Sequence, residues 1–423
     1  MNVGRVRGAV LPALGVVTAL LAPVACAESN ATSSLDDFEN VPGGEDAAVP
    51  TTTTEAGTST DAGRPDGDAS SRATCSTGGF CVTPLPATFP LLGVSALDAD
   101  AWAVGTRGVL RWDGTVWHHV HATTIEASGA HNGIWTAKAD DLWVTTDRKV
   151  IRYSKQGGAT QEFREFSNDL AVRASWLDAS TNALWEVVRQ NNGQSAVHRL
   201  RDAAGGELTR EDTGIPLWSG DGGSYRWSSI WGFGSSDVYV GGEHCLVNDC
   251  TWAAWALRGA IAHYDGTSWS VTLLDERQPI HAMFGTPGQT EPRRLWLWTG
   301  YRPLYNPSTT SIRLVSIASD GSLGDPVMTK DMPMPPADPS VNAPCSHVVG
   351  SMQSANAAWL SNGCLVYRWN GTTLDVVPTA VNGVPVGRVS SLWGDAAGRA
   401  WIAGQGLESG VGFAALHTGG SNP

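Results

Sequence analysis

One aromatic strand recurs seven times, Asp-Gly turns recur beside it, and the last unit lacks a fourth strand. Together these observations predict an all-β chain, a seven-bladed β-propeller of four-stranded antiparallel blades. The recurring positions are Trp102, Trp143, Trp185, Tyr239, Trp296 (or Trp298), Trp359 and Trp401, spaced 41, 42, 54, 57, 63 and 42 residues apart. Around each, short runs rich in Val, Ile, Trp and Tyr alternate apolar and polar side chains, as half-buried strands do. Nothing in the body of the chain repeats with helical periodicity.

The fullest unit, 226–274, runs from Trp231-Gly232 through Asp237-Val238-Tyr239 to Tyr264-Asp265-Gly266 and Trp269. Segment 93–120 matches it with Asp100-Ala101-Trp102 and Trp112-Asp113-Gly114, and Asn370-Gly371 repeats the turn in unit six. Asp-Gly and Asn-Gly pairs between strand-like runs mark tight antiparallel turns. The last unit supplies strands at Val389–Gly394, Arg399–Gly404 and Gly412–His417, with no fourth before Pro423. Upstream, Phe80-Cys81-Val82-Thr83-Pro84-Leu85 is a strand without a unit. It is expected to pair as the outer strand of blade seven, closing the ring and covering an open edge.

The residues before the ring predict export. Arg5 and Arg7, the apolar run Ala9 to Ala22 and the small residues Ala25-Cys26-Ala27 have the order of a secretory signal. Residues 1–26 are read as a lipoprotein-type signal peptide that ends at an acylated Cys26. Residues 27–73 set ten carboxylates against Arg64 and Arg72 and hold one aromatic, Phe38, so they carry −8 of the chain's net charge of −13. Such a composition cannot bury enough apolar surface to order itself, so the segment is expected to be a disordered acidic tether, ~35–40 Å long as a coil. The propeller then occupies 74–423. Without Cys26, six cysteines remain, and their clustering pairs Cys75 with Cys81, Cys245 with Cys250 and Cys345 with Cys364. None stands in a C-x-x-C pair, which argues against zinc or thioredoxin-like chemistry.

The unit built on Trp231-Gly232, Asp237-Val238-Tyr239-Val240-Gly241, His263-Tyr264-Asp265-Gly266 and Trp269 resembles the propeller repeats of bacterial exported proteins. These form the broad sialidase/BNR and photosystem-assembly-factor-like group, and the resemblance spans roughly 80–420. It implies the fold and, since many members are lipoproteins, a place in the cell envelope. It carries no catalytic residues over, because the sialidase box separates its Asp and Gly whereas here they are adjacent. By the same resemblance, Ala27 in place of an inner-membrane retention Asp favours the outer membrane.

The search for chemistry returns little. The net negative charge excludes a strongly cationic nucleic-acid binder. No nucleophile elbow, metalloprotease helix or phosphate-cradling loop occurs, and no cofactor or metal is expected. Asp98, Asp100, Asp140, Asp141 and Asp237 precede second strands and read as turn caps. His119 and His121 would share a face of an outer strand, though without a third metal ligand. Most of the 19 tryptophans fall on repeat positions and are expected to pack between blades.

Longer connections fall at 211–226, 242–258, 299–311 and 325–345, all on one face of the disc and over blades four to six. They hold aromatics that fit no repeat position, with arginines beside them: Trp218, Tyr225, Arg226, Trp252, Trp255, Tyr301, Arg302 and Tyr305. Aromatic and Arg clusters on such loops suit recognition. The sequence therefore reads as a monomeric envelope lipoprotein, anchored to the membrane by its lipid, that binds a glycan or protein partner. The alternatives are a glycan-cleaving enzyme with carboxylates near the central channel, or a scaffold for envelope assembly.

Overall fold

The computed structural model describes residues 75–418, apart from 87, 98–99, 126–132, 139, 155–161, 168–169, 191–192, 204–206, 221, 247–256, 275–277, 289–291, 301–309, 333–347, 382–385, 396 and 407–409. Within them, seven four-stranded antiparallel sheets form a ring, and no helix occurs among the described residues. The expected seven-bladed propeller is the fold. The inner strands are Leu91–Leu97, Gly133–Lys138, Ala171–Asp178, Ser224–Gly234, Ile280–Gly285, Val349–Ser354 and Arg388–Gly394. Each touches its neighbours, and the last meets the first.

The ring closes as the sequence predicts. Blade seven orders its strands as Phe80–Thr83, Gly412–His417, Ala400–Gln405 and Arg388–Gly394. Phe80 lies opposite His417 and Thr83 opposite Ala414. The Phe80 ring is fully buried, 5.6 Å from the ring of Trp359 in blade six. Thr83 Oγ1 donates to Ala414 O at 3.0 Å and accepts from Trp117 Nε1 at 2.9 Å, tying blade seven to blade one. Cys75 and Cys81 are disulfide-bonded. The inserted strand runs away from the face bearing the first-to-second and third-to-fourth strand turns (the turn face) towards the face bearing the long connections.

The seven repeat aromatics are all buried, including both Trp296 and Trp298. Aromatics on the inner strands, in turn, need glycine on the next blade. A Cβ on Gly232 would lie 2.5 Å from the Trp176 indole of blade three, and one on Gly350 would lie 2.2 Å from the Phe284 ring of blade five. Trp-Gly in the repeat is therefore a pair of halves: the ring fills the seam ahead, and the glycine admits the ring from behind.

The Asp-Gly turns close through their side chains. Asp265 Oδ1 accepts from the backbone N–H groups of Thr267 and Ser268, each at 2.8 Å, while Gly266 takes a φ of +96°. Asp113 and Asn370 repeat the arrangement. The hydrogen bonds from Val116 and Ser268 hold the Asp113 and Asp265 carboxyls well below the usual carboxylate range.

Candidate functional site

The connection into blade four spans 213–223, shorter than the expected 211–226 because strands Leu208–Asp212 and Ser224–Gly234 extend into it. It is strapped down by Trp227 Nε1 and Trp269 Nε1, which donate to Pro216 O and Thr213 O at 3.0 Å each. At its tip a turn forms, with Ser219 N donating to Gly223 O at 2.9 Å and Gly222 at a φ of +85°. Ser219 Oγ lies 2.9 Å from His244 Nε2. Trp218 bridges to Ser224 beside this turn and is 58% exposed. Among the described residues it is the most exposed large apolar side chain.

Tyr225 does not stand in a loop. It lies in the first strand of blade four, buried, stacked 5.2 Å from Trp227 and tilted against His244 at 5.0 Å, so it buttresses the turn from below. Arg226 is half-buried, its Nη1 3.6 Å from Glu243 Oε1. Cys245 and Cys364 each belong to a disulfide whose other half lies outside the described residues. Cys26, Cys250, Trp252, Trp255, Tyr301, Arg302, Tyr305 and Cys345 lie outside the described residues.

The axis of the ring has a polar mouth and an aromatic floor. In blades one, three, four, five and seven the inner strand carries one residue more than its partner near the long-loop end: Leu92, Arg173, Ser228, His281 and Ser390. Nearer the turn face, half-buried indoles from three blades converge, with Trp135 6.4 Å from Trp231 and 6.1 Å from Trp393. The inner strands hold a single carboxylate, Asp178, which is buried and engaged by Ser180 and Thr181 of its own turn. The glycan-cleaving alternative expects carboxylates at this channel, and the inner strands do not supply them.

Two expectations about charged residues are corrected. Asp98 lies outside the described residues, and the other aspartates before second strands pair with cations rather than cap turns: Asp100 and Asp140 with Arg111, Asp141 with Arg152, and Asp237 with Arg293. Arg152 donates to Asp141 Oδ1 at 2.6 Å and to Asp202 Oδ2 at 3.0 Å, with its guanidinium 4.5 Å from the Trp143 ring. Arg111, Arg199 and Arg368 likewise cover Trp102, Trp185 and Trp359 at 5.0, 5.4 and 5.3 Å. In blade four His263 takes that place, stacked 4.4 Å from Tyr239, with its Nε2 2.8 Å from Asp237 Oδ1. In blades one, two and six the Arg follows the Trp by nine residues, a signal present in the sequence that the repeat reading missed.

His119 and His121 do not share a face, because a bulge between their partners Leu110 and Val109 breaks the alternation. His119 lies 3.3 Å from Arg107 O, whereas His121 contacts Glu165 at 2.8 Å and stacks on Phe163 at 4.3 Å. Elsewhere, Glu186 of blade three is fully buried with neither oxygen hydrogen-bonded among the described residues. Burial pushes its carboxyl up to about 7, against the opposing charge of Arg210.

The fold is that of a seven-bladed β-propeller, with Trp218 exposed on its long-connection face. The chain is similar to the solved structure of YCF48 bound to D1 peptide, at 13% identity over 82% of this chain and 97% of that one, with a TM-score of 0.47. It is similar to the extracellular domain of a hybrid two-component system from B. thetaiotaomicron, at 12% identity and a TM-score of 0.48 over 79% of this chain and 42% of that one. The SapL1 lectin in complex with alpha methyl fucoside matches at 13% identity and a TM-score of 0.42, over 70% of this chain and 97% of that one. No family model matches the sequence, and no curated protein matches it.

Proposed function

We propose that the protein is a cell-envelope lipoprotein whose propeller binds a glycan or protein partner through its long-loop face over blades four to six. The observation that carries this reading is Trp218, an indole 58% exposed on a turn fixed by backbone hydrogen bonds. Exposing so large an apolar group costs solvation free energy that a partner would recover. Hydrogen bonds from the backbone N–H groups of Ser219 and Gly222 brace the chain beside the indole, which limits the conformational entropy lost on binding.

A glycan array and a pull-down with the full chain would find the partner. Trp218→Ala should then weaken binding about tenfold or more while the melting temperature stays within about a degree. Equal loss of binding and stability would sink the assignment. Anchoring through Cys26 and an outer-membrane location belong to the same proposal. Palmitate labelling that survives Cys26→Ser would refute the anchor.

A further inference from the structure

Both faces of an inner strand are covered by neighbouring blades, so a side chain exposed there reaches solvent along the axis. Away from the turn-face ends, the inner strands expose two side chains, Arg173 and His281. Each is the additional residue of a bulge, a device that re-aims a side chain out of the strand's alternation. Arg173 has no hydrogen bond or ion pair with a described residue, and neither has Arg388 at the same end of blade seven. Arg189 is exposed in register with Ala171, at the long-loop end of blade three. With Asp178 at the turn face, no carboxylate stands on the inner strands near this mouth.

Guanidinium groups without a counter-charge in a confined mouth attract oxyanions, which they bind through paired N–H donors. Resting on the binding-module reading, we propose that the channel mouth is an oxyanion site and that the ligand of the long-loop face is an acidic polysaccharide. Arg173, Arg189 and Arg388 take its carboxylate or sulfate groups, and Trp218 stacks on a sugar ring further out. A polysaccharide fits better than an acidic polypeptide for two reasons. The exposed indole offers a flat face to a sugar ring. Exposed arginines without an ion pair among the described residues also recur on successive blades (Arg107, Arg148, Arg189, Arg258), as charges recur along such a polymer.

The test is binding of the full chain to fluorescently labelled alginate, dextran sulfate, neutral dextran and poly-glutamate, at about 20 and 200 mM salt. One of the two anionic polysaccharides should bind, with affinity falling about tenfold or more at the higher salt, and which one binds separates carboxylate from sulfate. Arg173→Gln combined with Arg388→Gln should cost about tenfold in affinity at an unchanged melting temperature. Undiminished binding by that double variant, equal binding of neutral dextran, or tighter binding of poly-glutamate would overturn the proposal. Failure here leaves the binding-module reading to its own test, which scores Trp218→Ala against whatever partner the array or pull-down yields.

Discussion

The two faces of the disc differ in how most of their arginines are used, although Arg201 and Arg368 stand exposed near the turn face without an ion pair among the described residues. Towards the turn face Arg111, Arg152, Arg164, Arg199, Arg293 and Arg399 each meet a carboxylate, and several also cover a repeat aromatic. Towards the long-loop face Arg107, Arg148, Arg173, Arg189, Arg258 and Arg388 have no ion pair among the described residues, while Lys149 pairs with Glu165 and Arg226 approaches Glu243. A charge buried beside its partner is committed to holding strands in register, and removing one partner strands the other. An exposed guanidinium with only water around it contributes little to folding and is available to a ligand. Charge on the first face therefore reports on stability, and charge on the second is what the proposed oxyanion site would use.

The comparison breaks first, if it breaks, at Arg152. Arg152→Ala leaves Asp141 and the Trp143 ring without their cation, and about 3–5 kcal/mol of unfolding free energy should be lost in a denaturant titration. Ligand affinity should not change.

Glu186 sharpens the comparison, because it is a charge site with no partner on either face. Its carboxyl titrates near 7 in the folded protein, above the ordinary 4.5, so between those values the folded state holds the proton more tightly than the unfolded one. Stability is thus fully present below about pH 4.5 and declines as the pH rises through 7, by about 3 kcal/mol in all. Glu186→Gln should flatten that decline, and equilibrium unfolding between pH 5 and 8 would show it. His198 and His417, held below the usual histidine range by burial, push the other way, so a pH dependence in Glu186→Gln identical to that of the wild-type protein would refute the assignment.

The smallest effect belongs to Arg189. Arg189→Gln should change stability by less than about 0.5 kcal/mol, since the side chain is exposed and has no ion pair among the described residues. A loss comparable to that of Arg152→Ala would erase the distinction between the faces.

The fold was legible because its determinants are local and repeated. Asp265-Gly266 and Asn370-Gly371 sit at the same offset from their strands, and the strand at Phe80 has no other edge to cover. Features that depend on register were not legible. Trp185 faces Arg199 across a longer turn than the one joining Trp143 to Arg152, so the same contact occurs at a different spacing. The bulges that turn Arg173 and His281 towards the axis leave no mark in composition or alternation, since one additional residue becomes visible only against its partner strand. Tyr225 reads as a loop aromatic from its place in an insertion, yet the strand begins one residue earlier and draws it inside. Trp218 was singled out because it fits no repeat position, and it is the candidate that the described residues leave in solvent.

The closing strand ties the start of the ring to its finish. Phe80–Thr83 pairs with Gly412–His417, so the first strand of the propeller to be made waits for the last one before blade seven is complete. The Cys75–Cys81 disulfide holds that early strand to the chain just before it in the meantime.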